Sequence, residues 1–565
     1  MTTPNNRRRQ PDSMSDGMVV SLILGGIALL AVIIVYAGWW CGTLLQSGNA
    51  PQRLSAFDVI AGLASGTIAW PGICGWSVSA AVMIAMATVS ILAAVIFANS
   101  QSKRTRADHA ARYLGTGRDV ESLSYRHAVE TARRMNVIQD AKPGIFLGTN
   151  VNGGAGVWST WEDVIVALAG PRTGKTTCFV VPGILDAPGP VLATSNKNDI
   201  VDAVRIPRSR IGHVWVFDPQ DVAGEKPTWW WNPLTYVTDE VKAGQMAGYF
   251  ASSATAADAK RDAYFDSAGE SLLSYLLLAA AEAGRPITQV WTWLTDPLDR
   301  EPIDLLDERY PLIAQSLTAV IDTPDRQRAG VYGTAQNMAR VLVNRQVLEW
   351  VTPPPDGAAR PMFDPIRFAT SNDTLCLLSR EGVGTAGAFV LSLTAAVAEA
   401  AEAQARHEGG RLHKPMLAIL DEAANVCRWR ELPDLYSHYG SRGIILMTFL
   451  QSWSQGVSIW GEEGMSKLWS AANLKIFGGG ISETGFLKTM SDLLGDYDMV
   501  QRQVGYSHGH TSTTQSITRD TIMSVDQLAA LPRGRAVLVA SGARPLLIKT
   551  IPWMNRKTTR KGDGR

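Results

Sequence analysis

The stretch Val164-Ile165-Val166-Ala167-Leu168-Ala169-Gly170-Pro171-Arg172-Thr173-Gly174-Lys175-Thr176-Thr177 decides how this chain is read. Val164 to Leu168 is a short apolar run suited to a buried strand, and Cys178 to Leu185 continues as an apolar, helical segment. Between them Ala169 to Thr176 fits the phosphate-binding loop pattern, with Ala169 in place of the first glycine. Small residues let backbone N–H groups wrap phosphates, and the helix N-terminus adds a favourable dipole. Lys175 is expected to reach the β- and γ-phosphates and Thr176 to ligate Mg2+. Ala169, Gly170, Pro171, Arg172, Thr173, Gly174 and Thr177 complete the loop, so ATP and Mg2+ are the expected ligands. An ordinary glycine turn before a helix is the competing reading, and a second motif weighs against it.

That motif is Met416-Leu417-Ala418-Ile419-Leu420-Asp421-Glu422, an apolar strand delivering two acids at its C-terminal end. Ligands of open α/β sheets bind at that end. Asp421 is expected to hold Mg2+ through water, and Glu422 to polarise the attacking water. Gln451 ends the next apolar run, Ile444 to Leu450, placed beside the Asp421 strand. There it could sense the γ-phosphate and orient water, or simply cap a loop. Arg442, just before that run, is a candidate finger reaching a neighbouring subunit's nucleotide; Arg428, Arg430 and Arg533 are rivals. An exposed arginine is more often a solvated surface group.

Outward from this site, 565 residues exceed one ordinary domain, and 46% hydrophobic residues supply a large core. A net charge of +1 exerts no whole-molecule pull on nucleic acid or anionic lipid. Cys41, Cys74, Cys178, Cys376 and Cys427 are scattered, without disulfide or zinc-finger spacing; the last three read as core residues. Met18 to Trp40 and Cys74 to Ala98 are each long and apolar enough to cross a bilayer, which needs roughly 20 residues. Trp39, Trp40, Trp70 and Trp76 lie near their outer ends. Arg7, Arg8 and Arg9 precede the first stretch and Lys103, Arg104 and Arg106 follow the second, while the loop between holds only Arg53. Positive residues inside put both termini in the cytoplasm.

The layout expected is a disordered N-terminus at 1–17, a two-helix membrane anchor at 18–98 and a juxtamembrane stalk at 99–142. A nucleotide-binding domain follows in two parts, 143–237 and 359–554, with an all-α insertion at 238–358 and a basic, mobile tail at 555–565. Apolar runs at Val164–Leu168, Val191–Thr194, Val214–Phe217, Thr374–Leu378, Met416–Leu420, Ile444–Phe449, Leu474–Phe477 and Ala536–Ala540 predict buried strands. Alternating with helices, they predict an α/β fold with a mostly parallel sheet covered on both faces.

The order of motifs resembles the type IV secretion system coupling proteins of the TraG/TraD type, related to the FtsK/HerA motors. Besides the two apolar stretches, the loop and the Asp421-Glu422 strand, the marks include Leu192-Ala193-Thr194-Ser195-Asn196-Lys197-Asn198-Asp199, with Asn196 where the family has an acid. Val214-Trp215-Val216-Phe217-Asp218-Pro219, Trp231-Asn232-Pro233-Leu234 and Leu450-Gln451-Ser452-Trp453-Ser454-Gln455 are others. Asn473-Leu474-Lys475-Ile476-Phe477, then Glu483 and Leu493-Leu494-Gly495, complete the series.

The resemblance implies a RecA-like P-loop NTPase domain, an inner-membrane location and a homo-hexameric ring with ATP sites between subunits. It implies recruitment of a relaxase–DNA complex, or of protein effectors, to a type IV secretion channel, with transfer driven by ATP hydrolysis. Protein cargo without DNA and a slow nucleotide-dependent docking receptor stay open as alternatives. An FtsK-type translocase is disfavoured because too little chain follows Leu531-Pro532 for a further domain. Sequence-independent grip on DNA needs basic or stacking side chains on channel loops. The candidates are Lys260, Arg261, Arg326, Arg328, Lys475 and the run Trp229-Trp230-Trp231, each with a plainer reading as a solvated face or domain packing. His508 and His510 sit in a polar loop expected to be mobile.

Overall fold

The computed structural model describes residues 16–101, 105–137, 141–254, 262–355, 359–382, 385–507 and 510–556. Residues 1–15, Lys103, Arg104, Lys260, Arg261, His508 and the tail from 557 lie outside them. The chain forms two units, residues 1–109 with 496–520, and residues 110–495 with 521–565.

In the first unit, helices span Asp16–Ser47, Ala56–Ala64 and Gly72–Gln101. Two of them contain stretches long and apolar enough to cross a membrane, Leu29–Ser47 and Gly72–Val89. Small residues let the two approach closely: a Cβ on Gly42 would meet the Gly75 Cα at 2.7 Å, and one on Gly38 would strike the Ser79 hydroxyl.

Strands occur at β1 Phe146–Asn150, β2 Gly156–Trp158, β3 Ile165–Leu168, β4 Val191–Ser195, β5 Val214–Phe217, β6 Thr374–Leu378, β7 Met416–Leu420, β8 Ile444–Leu450 and β9 Leu474–Phe477. β10 Asp496–Ser507, β11 His510–Thr521, β12 Arg535–Ala540 and β13 Leu546–Lys549 follow. β10 and β11 pair only with each other, in the first unit. The other strands form an 11-stranded sheet in the order β2-β1-β13-β12-β9-β3-β8-β7-β4-β6-β5. From β9 to β5 every pairing is parallel. β12, β13, β1 and β2 extend the sheet antiparallel.

Every residue of β3, β4, β6, β7 and β8 is buried, as expected of parallel strands covered on both faces. The eight strands read from apolar runs are all present; β1, β2, β10, β11 and β13 were not foreseen.

Among the described residues, 238–358 contain helices and no strand. The insertion begins and ends side by side. The Trp230 N–H donates to the Pro361 carbonyl at 3.1 Å, and the Phe363 N–H to the Trp230 carbonyl at 2.8 Å. Trp231 bonds the Trp350 carbonyl at 2.9 Å, and the Trp229 ring packs on Trp215, Trp350 and Phe363. Trp229 and Trp231 are 2% and 0% exposed, so these two join the insertion to the sheet and are not open to bases.

Candidate functional site

β3 lies between β9 and β8, and β8 lies between β3 and β7. This order brings the loop after β3, Gln451 after β8 and Asp421-Glu422 after β7 to one edge of the sheet, at the C-terminal ends of parallel strands. Lys175 Nζ donates to Glu422 Oε1 at 3.0 Å, and Gln451 Nε2 donates to Glu422 Oε2 at 2.6 Å. Lys175 and Glu422 are 8% and 6% exposed, so the ion pair is shielded from water. Gln451 is held in turn, its N–H donating to Gln455 Oε1 at 2.9 Å. Glu483 accepts from the N–H groups of Trp453 at 2.7 Å and Ser454 at 3.0 Å, fixing the turn that carries Gln451.

The loop after β3 turns sharply. Gly174 adopts φ +96° and Arg172 φ +61°, left-handed values that turn successive N–H groups toward one side. The Thr173 hydroxyl donates to the Gly170 carbonyl at 2.8 Å. Gly170 also has no room for a side chain, since its Cβ would come 2.1 Å from the Gly480 carbonyl oxygen. The Gly170 N–H donates to the Gly479 carbonyl at 2.9 Å, so the turn Gly478-Gly479-Gly480 after β9 forms one wall of the loop. Sequence reasoning passed over that wall, although three glycines directly after a strand were a visible signal.

Glu422 itself adopts φ +53°, an uncommon value for a residue with a side chain. Asp421 beside it is 4% exposed, and its Oδ1 is buried without a hydrogen-bond partner among the described residues. Burial pushes its carboxyl up to about 7, opposed by the charge of Lys175. An orphaned carboxylate oxygen next to a phosphate-type loop fits a hydrated Mg2+, and Thr176 at the start of the helix fits as the second ligand.

A further acid was not foreseen. Glu381, after β6, accepts from Asn196 Nδ2 at 2.5 Å and from Asn425 Nδ2 at 3.0 Å, tying the turn after β4 to the short helix that follows Glu422. The structure thus puts a carboxylate beside Asn196, from a different strand.

Arg442 is not brought to this edge. It precedes β8 at the opposite end of the sheet and is paired with Glu402. Arg428 Nε bonds the Ala424 carbonyl at 3.1 Å, one turn beyond Glu422. Among the candidate DNA contacts, Arg328 caps its own turn through the Ile321 and Thr323 carbonyls at 2.7 and 2.9 Å. Lys475 Nζ bonds the Ala472 carbonyl at 2.6 Å, and burial lowers its pKa. Both are structural ties; Arg326 is exposed.

Residues 415–533 match the family model described as the TraM recognition site of TraD and TraG. No curated protein sequence matches the chain. The fold is similar to that of the bacterial conjugative coupling protein TrwBdeltaN70 in its unbound monoclinic form, with a TM-score of 0.53 at 14% identity over 76% of this chain and 93% of that one. Plasmid coupling protein TrwB in complex with ADP and Mg2+ gives a TM-score of 0.50 at 14% identity, over 71% of this chain and 89% of that one. TrwB with a non-hydrolysable ATP analogue gives 0.50 at 14%, over 70% and 87%.

Proposed function

We propose that this chain is a TraG/TraD-type conjugative coupling protein, a membrane-anchored ATPase that recruits a relaxase–DNA complex to a type IV secretion channel and drives its transfer. The observation that carries this reading is the convergence of Lys175, Glu422 and Gln451 at one sheet edge, with Asp421 orphaned beside them.

Loop residues 169–177 bind the phosphates of ATP, and Thr176 and Asp421 hold Mg2+. When bound, Mg2+ would supply positive charge to the phosphates. Lys175 leaves Glu422 for the phosphates, which frees one carboxylate oxygen to accept a proton from the attacking water. Gln451, fixed by Gln455 and Glu483, keeps the other oxygen aimed. Asp421 has to ionise to hold the metal, and Lys175 opposes the burial that keeps it neutral.

Both termini lie on the cytoplasmic side of the bacterial inner membrane in this reading, and the working form is a homo-hexamer. Arg442, remote from its own site, is then available to a neighbour's. Protein cargo alone is the second reading. It draws support from the burial of Trp229 and Trp231 and the internal ties of Arg328 and Lys475, which leave fewer side chains to grip DNA.

ATP hydrolysis by the full-length protein, with and without single- and double-stranded DNA across a salt series, tests both. Lys175→Ala should abolish nucleotide binding or turnover, and Glu422→Gln should bind ATP while losing about 100-fold or more in rate. Normal turnover in either variant removes that residue from its role. DNA stimulation that fades with salt favours the DNA cargo; basal activity indifferent to DNA favours protein cargo.

A further inference from the structure

The helix after the nucleotide loop does not start as an α-helix. Thr176–Val180 forms an i→i+5 turn, in which the Val181 N–H donates to the Thr176 carbonyl. The α-helical part, Val181–Asp186, has Pro182 in its first turn. A proline within a helix lacks the N–H that would bond the carbonyl four residues back, and its ring presses on that carbonyl. Four residues before Pro182 is Cys178, whose carbonyl therefore has no N–H of the usual i+4 spacing to accept from. The widened turn makes room for the ring.

A side-chain donor comes from Arg556, nearly four hundred positions further along the chain. Arg556 Nη2 donates to the Cys178 carbonyl at 3.3 Å and to the Phe146 carbonyl in β1 at 2.8 Å. Arg556 Nη1 pairs with Asp186, the last residue of the helix, at 3.2 Å. The guanidinium lies over the Phe146 ring, 4.9 Å from its centroid. The side chains of Arg556 and Asp186 are only 18% and 16% exposed, so these contacts are largely screened from water. One planar fork thereby holds the first turn of the helix, its last residue and the neighbouring strand. An ammonium could not reproduce that geometry.

We propose that Arg556 is a positioning residue of the nucleotide site: it closes the helix that Pro182 interrupts and so fixes Lys175 and Thr176, at the start of that helix, for phosphate and metal. The inference rests on residues 169–177 being the nucleotide loop. It makes Arg556 a determinant of nucleotide affinity, although it meets the helix at Cys178 and Asp186, outside residues 169–177 themselves.

The test is a thermodynamic cycle on the full-length protein, titrated with ADP and Mg2+ by calorimetry. Arg556→Gln should raise Kd about ten-fold. Arg556→Lys, which keeps the charge opposite Asp186 without the fork, should raise it less and secures the test if the glutamine variant folds poorly. Pro182→Ala restores an N–H four residues after Cys178, so Arg556→Gln made in that background should change Kd less than two-fold, whatever Pro182→Ala does alone. A purely structural role predicts a lower melting temperature and fewer active sites at unchanged Kd, and that result would overturn the inference. So would an equal effect of Arg556→Gln with and without Pro182. Failure of the wild-type chain to bind ADP would overturn the nucleotide-site reading itself, a result distinct from wild-type binding that Arg556 does not influence.

Discussion

At the end of β7 the Asp421 carboxyl is nearly closed off from water, with one oxygen unpartnered, and burial raises it from an ordinary 3.8 to about 7. The folded protein therefore holds this proton more tightly than the unfolded chain does. The stability that this brings is complete below about pH 4 and is lost as pH rises through 7. Asp421→Asn removes the titration, so without nucleotide the variant should gain on the wild type in unfolding free energy as pH rises from 5 to 8. Denaturant titrations at several pH values would check it; a difference constant with pH would mean that Asp421 is already ionised. The same proton has to leave before Mg2+ can be held, so Mg2+-dependent nucleotide binding should weaken below pH 7 in the wild type.

Two turns that meet at the proposed nucleotide site, Gly170 in the first and Gly478-Gly479-Gly480 in the second, leave no space between their backbones. Gly170→Ala would drive a methyl group into the Gly480 carbonyl, and neither backbone can yield cheaply. We expect a loss of about ten-fold or more in nucleotide affinity with a modest fall in melting temperature, checked by calorimetry and thermal unfolding. Unaltered affinity would show that the turns part easily.

At this same scale the limits of sequence reading are physical. The parallel strands from β9 to β5 are apolar on both faces, so a short hydrophobic run betrays each one, and the acids after β7 and the glutamine after β8 follow directly. Their mutual hydrogen bonds depended on the strand order, with β8 set between β3 and β7; the reading of Gln451 anticipated only that β8 lies beside β7. The edge strands were hidden for other reasons. β1 carries a glycine at φ +144° and a register shift between Phe146 and Gly148, and it pairs with a strand about four hundred positions away by number. β2 is three residues long. β10 and β11 are rich in Ser, Thr, Gln and Arg, which reads as loop. The segment after the loop was read simply as helical, because an apolar run registers neither the missing N–H of Pro182 nor a distant arginine.

Across the whole molecule, Lys175, Asp421, Glu422 and Gln451 occupy one end of the parallel strands and Arg442 the other. If subunits in a ring meet so that Arg442 of one faces the nucleotide of the next, mixing Arg442→Ala with Lys175→Ala subunits should recover part of the activity that neither has alone. ATPase rate against mixing ratio, with assembly confirmed by light scattering, checks it; no recovery at any ratio would exclude the finger.

The helical insertion leaves and re-enters the sheet domain through neighbouring backbones, joined by the hydrogen bonds of Trp230 to Pro361 and Phe363. Exit and return are so close that the length and sequence of what lies between are largely independent of strand register elsewhere. What lies between the two junctions can therefore be lengthened, shortened or exchanged without disturbing the strand pairing beneath it.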